Sequence, residues 1–263
     1  MNITHYHITV PRKDNRPESE IRIAFLSDLH NYRFEDGGAA LARQVQQQHP
    51  DLILSGGDLI IATHGRWSMD HIQEVLQKLS DIAPVYTAYG NHEQRLYDRA
   101  DQYPDCSGKL EAILQQAGVR VLRNETEVLM LRGMKLSLTA YEPPIHAYRR
   151  IFTYHPKTDE LIRSLGRPSN HFYRVMLCHH PDLFKACARW GADLVLSGHF
   201  HGGIIRVPYL GGLVGGSLIP FPRYDRGSYE YENSRMIVSA GMGCHSVPFR
   251  INNPAEIVML HIA

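Results

Sequence analysis

The chain reads as an α/β protein: two packed mixed β-sheets flanked by helices, a four-layer αββα sandwich. Two observations predict it. Short apolar strands alternate with amphipathic helices through most of the chain, and the tail is rich in strands with no convincing helix between them. In addition, the prominent polar motifs each fall just past the C-terminal end of a predicted strand, the edge where open α/β sheets gather ligands.

Taken in order, residues 1–10 read as a strand, with Ile3, Tyr6, Ile8 and Val10 set among Thr and His. Residues 21–26 form a near-continuous apolar run, as a strand buried on both faces should. Residues 51–55 and 83–89 repeat that character. Between them Ile72, Val75, Leu76 and Leu79 fall at helical spacing, and later so do Leu110, Ile113, Leu114 and Ala117. Both stripes read as core faces. Residues 172–178 and 193–197 are two more buried strands, separated by a helix over 182–190. In the tail, 204–207, 235–239 and 256–261 read as strands. With no Pro-, Gly- or Ser-rich linker and no internal repeat, residues 1–263 read as a single domain. The least regular stretch, 141–171, carries Arg149, Arg150, Lys157, Arg163 and Arg167 with Tyr148, Phe152 and Tyr154. It reads either as a lid over a site or as a solvated excursion with snorkelling basic side chains.

Global properties narrow the function classes. The apolar fraction is 43% and the formal net charge +1, so neither nucleic acid nor an anionic membrane is implied as the main partner. Cys106, Cys178, Cys187 and Cys244 show no CxxC pairing and read as free thiols in a reducing compartment. There is no basic and apolar secretory leader at the start, and no run approaches the roughly 20 apolar residues of a membrane span. A cytoplasmic location is expected, unless a leader precedes this sequence. Oligomeric state is not legible.

Five motifs occur in one order: Asp28-Leu29-His30, Gly57-Asp58, Gly90-Asn91-His92-Glu93, His179, and Gly198-His199-Phe200-His201. Each offers carboxylate, imidazole or side-chain amide, all good ligands for hard or borderline divalent metals. Asp28 and His30 are one residue apart, so on an extended segment both side chains reach the same ion. Asp58 follows a Gly-Gly pair that permits a tight turn, and its two oxygens can bridge two cations. Asn91 adds a neutral oxygen. His199 and His201 are again one residue apart, between glycines. His180 adjoins His179 but should face the other way, so at most one of that pair is expected to ligate. The set supplies enough ligands for two ions sharing one carboxylate, a standard device for displacement at phosphorus.

This series resembles the calcineurin-like metallophosphoesterase superfamily, with the likeness running from Ile21 to the C-terminus. The segments around His179-His180-Pro181-Asp182 and Gly198-His199-Phe200-His201-Gly202-Gly203, with Arg206-Val207-Pro208, Tyr224, Gly227, Tyr229 and residues 239–243, resemble its bacterial YkuE/YaeI-like branch. The resemblance implies that Asp28, His30, Asp58 and His201 hold one metal and that Asp58, Asn91, His179 and His199 hold the other. His92 would stabilise or protonate the leaving oxygen rather than bind metal. The cofactors implied are two divalent ions, or Fe3+ with a divalent ion, with Mn, Fe or Zn expected. Phe200, Ile204 and Ala240 depart from that branch, which usually has a small polar residue, a glutamine and an arginine there. They flank the site and bear on substrate class.

A metal-dependent phosphoesterase, a phosphodiesterase or phosphohydrolase acting through a dinuclear centre that activates water for in-line attack, is therefore the leading expectation. A nuclease on the same fold and a non-catalytic scaffold are the alternatives. No basic stripe supports the nuclease, and every ligand position is filled, against the scaffold. Substrate contacts are expected from His245, which follows the Gly241-Met242-Gly243 turn, and from Tyr224 and Arg226 in a Gly- and Pro-rich loop over 211–231.

Overall fold

A computed structural model describes residues 1–11, 15–63, 66–149, 154–203, 205–207, 211–213, 221–244 and 249–263. The first half runs β1 (Asn2–Ile8), β2 (Ile21–Leu26), α1 (Ala39–Gln46), β3 (Leu52–Ser55), β4 (Ile61–Thr63), β5 (Arg66–Ser68), α2 (Ile72–Ser80), β6 (Val85–Thr87), α3 (Asn91–Asp98), α4 (Cys106–Gln116) and β7 (Val119–Val121). The second half runs β8 (Glu125–Leu131), β9 (Met134–Ala140), α5 (Thr158–Leu165), β10 (Tyr173–Leu177), α6 (Phe184–Trp190), β11 (Leu194–Ser197), β12 (Arg206–Val207), β13 (Gly211–Gly212), β14 (Gly227–Tyr231), β15 (Ser234–Val238) and β16 (Glu256–Ile262).

Two six-stranded mixed sheets form the centre, in the orders β1-β16-β2-β3-β6-β7 and β14-β15-β11-β10-β9-β8. In the first, β2, β3 and β6 are parallel; in the second, so are β9, β10, β11 and β15. The period-2 alternation along each strand sorts the core into layers. Ile21, Ile23 and Phe25 of β2 face inward against Leu136, Leu138, Val175 and Leu196 of the other sheet. Ala24 and Leu26 face outward, under Leu41, Val75, Leu76, Leu79 and Leu110 of α1, α2 and α4. Met176, Val195 and Met236 do the same on the far side, under Leu161 of α5 and Phe184, Cys187 and Trp190 of α6. The expected four-layer sandwich is the fold observed. All four cysteines are free, and Cys178 and Cys187 are buried. Among the described residues no helix is long and apolar enough to cross a membrane.

Several elements correct the sequence reading. The hairpin of β8 and β9 has no counterpart in it, because β8 is a half-exposed edge strand whose apolar run, Val128 to Leu131, is short and lacks the period-2 alternation of a one-sided strand. Its signal is the two-residue turn Arg132-Gly133, both at positive φ (46° and 78°), the left-handed backbone that a tight hairpin turn requires. Residues 227–231, expected within a loop, form β14, paired antiparallel with β15. The segment 141–171 holds a 3-10 turn (Ile145–Tyr148) and α5, which packs on α6.

Candidate metal centre

Strands β2, β3, β6, β10 and β11 end at Leu26, Ser55, Thr87, Leu177 and Ser197, and Asp28, Asp58, Asn91, His179 and His199 follow them closely. Parallel strands bring those C-terminal ends to one edge of each sheet, and stacking the sheets brings the two edges together. Glycines allow the final approach. At Gly57 (φ 96°) an added Cβ would strike the backbone of Gly90, and at Gly198 it would strike Ser27 and Asp28.

Asp28, His30, Asp58, Asn91, His179, His199 and His201 are all buried, as is His92. Three overlapping groups have ligand atoms within 4.8 Å of one another: Asp28–His30–His201, His30–Asp58–His92 and Asp58–His179–His199. His30 Nε2 lies 3.1 Å from His201 Nε2 and 3.9 Å from both Asp28 Oδ1 and Asp58 Oδ2. His179 Nε2 lies 3.0 Å from Asp58 Oδ2. The backbone achieves this differently from the expected extended alternation. Asp28, His30, Asp58, His199 and His201 all sit at positive φ, between 50° and 73°. Such conformations are uncommon for residues other than glycine and cluster where function holds them.

Ring tautomers follow from the partners. The Nδ1–H of His179 donates to the Gly56 carbonyl at 2.8 Å and that of His30 to the Ile60 carbonyl at 3.3 Å, which turns both Nε2 atoms toward the centre. Metal-binding histidines are commonly oriented this way. His92 is reversed. Its Nδ1 accepts the Ala62 N–H at 2.8 Å, so in the neutral ring the proton sits on Nε2.

Electrostatics are those of a crowded, dry site. Burial raises the Asp28 carboxyl, against the pull of His179 and His30. For Asp58 burial acts the same way, but His179 and His92 outweigh it and hold the carboxyl well below its usual range. For His179 burial disfavours the charge, yet Asp58 and Asp28 raise it to about 10. Burial and the neighbouring imidazoles keep His199 neutral. His180 is lowered to about 3 by burial and by His179, and its ring stacks on Tyr148.

Three residues of the site were invisible as such in the sequence. Glu93 accepts the backbone N–H groups of Asp58 (2.9 Å), Ile60 (3.2 Å) and Gly90 (2.8 Å), clamping the β3 loop to the start of α3. Burial, then the charge on Asp58, pushes its carboxyl up to about 7. Tyr148 stands over the imidazoles, its ring 5.2 Å from His199, and its buried hydroxyl has no hydrogen-bond partner. Arg250 bonds the carbonyls of Ala240, Gly241 and Gly243 and reaches within 3.5 Å of His201 Nδ1.

The donor set suits metal. Two carboxylates, imidazoles with their Nε2 atoms turned inward and an amide oxygen converge out of water. Asn91 Oδ1 is buried without a hydrogen-bond partner, a costly arrangement unless a cation takes that lone pair.

Residues 21–203 match the model of the calcineurin-like phosphoesterase domain. The chain belongs to that family. It is 27% identical over 259 residues to the phosphodiesterase YaeI of Escherichia coli, covering 95% of this chain and 84% of that one. It is 25% identical over 242 residues to the metallophosphoesterase YkuE of Bacillus subtilis, covering 90% and 77%. Among solved structures, the NAD nucleotidase NadN of Haemophilus influenzae superposes with a TM-score of 0.51 at 13% identity, over 84% of this chain and 45% of that one, a likeness of fold. As a calcineurin-like phosphoesterase the chain is a phosphoric ester hydrolase.

The expected substrate contacts fare differently from the metal set. Tyr224 is a core residue, 7% exposed, packed edge-on against Phe184 and Tyr229. A ring walled into the outer core presents little surface in this structure. Arg226 lies 3.5 Å from the buried Glu256 and lines a cavity of about 520 Å³ with Arg206, Arg223 and Asp225. His245 lies outside the described residues, as do Ile204 and Phe152.

Proposed function

We propose that this calcineurin-like phosphoesterase is a phosphodiesterase with a dinuclear centre, one ion held by Asp28, His30, Asp58 and His201 and the other by Asp58, Asn91, His179 and His199. The observation that carries the reading is the burial of this complete donor set at one point, with Asn91 Oδ1 unsatisfied. Two ions, when bound, supply Lewis acidity toward phosphate oxygens and an activated water.

The chain's own groups do the rest. The His199 N–H fixes the Asp28 carboxylate at 3.0 Å, and the His92 N–H fixes Asp58 Oδ1 at 2.9 Å, so both carboxylates are oriented before any substrate arrives. His92 carries its proton on Nε2, 4.9 Å ring to ring from His30, placed to donate to the departing oxygen. The alcohol part of the ester has an adjoining space. A cavity of about 610 Å³ lined by Tyr32, Phe34, Met242, Phe249 and Arg250 opens beside the Asp28 loop. The family relation to YaeI, a phosphodiesterase by name, supports diesters over monoesters. A cytoplasmic setting fits the free thiols.

The experiment is reconstitution of metal-stripped protein with Mn, Fe or Zn, assayed on bis-p-nitrophenyl phosphate and on p-nitrophenyl phosphate. The expected result is two tightly held Mn ions per chain and faster turnover of the diester. A single ion at full activity overturns the dinuclear reading, and faster turnover of the monoester overturns the diester reading.

A further inference from the structure

At the opposite end of the first sheet from the metal centre, four titratable side chains meet on the outer face. β1 and β16 run parallel in a register that sets His7 beside His261, and β16 and β2 run antiparallel with His261 opposite Arg22. Side chains alternate along a strand, so His5 and His7 share one face of β1. That is the face Ile257 and Met259 present to the helical core, and it continues past that core to His261. Glu20 closes the group from just before β2. The Asp28 loop lies beyond the far end of β2, about 20 Å away at the usual rise of a strand.

The local geometry is that of a ligand set. One ligand atom each from His7, Glu20 and His261 lies within 4.8 Å of the other two. His261 Nδ1 is buried and stands 3.1 Å from Glu20 Oε1, at ion-pair distance from the carboxylate. Neighbouring ligand atoms around a tetrahedral zinc stand about 3.3 Å apart. The other nitrogen of the ring, Nε2, is 2.9 Å from His5 Nδ1. With His5 accepting the Nε2 proton, His261 is held in the tautomer whose Nδ1 lone pair faces Glu20, the outer hydrogen bond that metal-bound histidines commonly make. His7 stacks on His261 with ring centroids 4.7 Å apart. Arg22 Nε donates to Glu20 Oε1 at 3.0 Å, so the carboxylate is shared with one cation already.

We propose that His7, Glu20 and His261 form a third, peripheral metal site, oriented by His5, for a borderline divalent ion with zinc as the reference. Two imidazoles and one carboxylate, with water completing the shell, suit zinc or copper far better than magnesium or manganese. Such an ion would staple the edge strand β1 to β16 and β2.

The test is equilibrium dialysis of the untagged chain against micromolar free zinc, with bound zinc counted by elemental analysis. His7→Ala lies at an exposed edge position and keeps the fold, which unchanged thermal unfolding in chelator and unchanged diester turnover confirm. The expected result is one zinc fewer per chain in His7→Ala than in wild type. His5→Phe should retain the site at an affinity about 10–100-fold weaker. Asp58→Ala should leave the peripheral zinc in place, so loss of ions there reports on the catalytic centre alone. Equal zinc in wild type and His7→Ala overturns the proposal.

Discussion

Asp58 belongs to two of the three buried ligand groups, beside His30 and His92 on one side and His179 and His199 on the other. No other carboxylate of the motifs is so shared, and the proposed dinuclear centre uses it as the bridge. Asp58→Ala is expected to lose both ions or nearly all turnover. Undiminished metal content with full activity in that variant would remove the assignment. His92 differs because its Nδ1 accepts the Ala62 N–H, which leaves the ring proton on Nε2 rather than a lone pair for metal. His92→Ala should keep both ions and lose about 10²–10⁴-fold in rate. The loss should be larger for a poor leaving group than for p-nitrophenolate, which needs little protonation. An equal loss across a leaving-group series would show that His92 only orients the phosphate.

At the scale of elements, the site depends on loops being held in uncommon backbone conformations. Glu93 at the start of α3 does much of this, through three backbone hydrogen bonds that tie Gly90 to Asp58 and Ile60. Glu93→Gln keeps the size but replaces one accepting oxygen with an NH2 that faces N–H donors. Leaving a buried donor unmet costs about 1–3 kcal/mol. A lowered Tm together with weaker metal binding is expected, measured by calorimetry and by metal titration. A variant as stable as wild type, with metal affinity unchanged, would deny Glu93 this positioning role. Residues 211–231 are a second element-scale case. Since Tyr224 packs in the outer core while Arg226 lines a cavity, Tyr224→Ala should act on stability and Arg226→Ala on KM for larger diesters. The reverse pattern in a paired Tm and kinetic measurement would make Tyr224 the substrate contact.

For the whole molecule, the centre joins the two sheets: Asp28, Asp58 and Asn91 come from one, His179 and His199 from the other. Ions bound across that seam should stabilise the native state as ligands do, by about 2.7 kcal/mol for one site at a hundredfold excess over Kd. Chelator treatment should therefore lower the Tm, and restored Mn should recover it. A Tm indifferent to chelator in protein shown to have lost its metal would place the ions outside the folded framework. The His7 site makes a separate prediction at this scale, since its loss should leave the Mn-dependent part of the Tm untouched.

Much of this was legible in the residues themselves. Near-continuous apolar runs gave buried strands because a strand covered on both faces has no polar side to show. Helical spacing of Ile72, Val75, Leu76 and Leu79 gave α2 because only one face meets the core. The ligand types could be named because few side chains hold divalent metals, and their places after strands gave one edge. Tertiary structure decided what depends on contacts distant in sequence. Glu93 looks like any motif carboxylate until three backbone N–H groups converge on it. Tyr148 looks like part of a basic surface stretch until its ring lies over His199. Tyr224 looks like a loop residue until Phe184 walls it in. The left-handed backbone at Asp28, His30, Asp58, His199 and His201 leaves no mark in composition or period, because those conformations are imposed by the packed loops around them. The pairing of His7 with His261 exists only because strands from opposite ends of the chain align side by side.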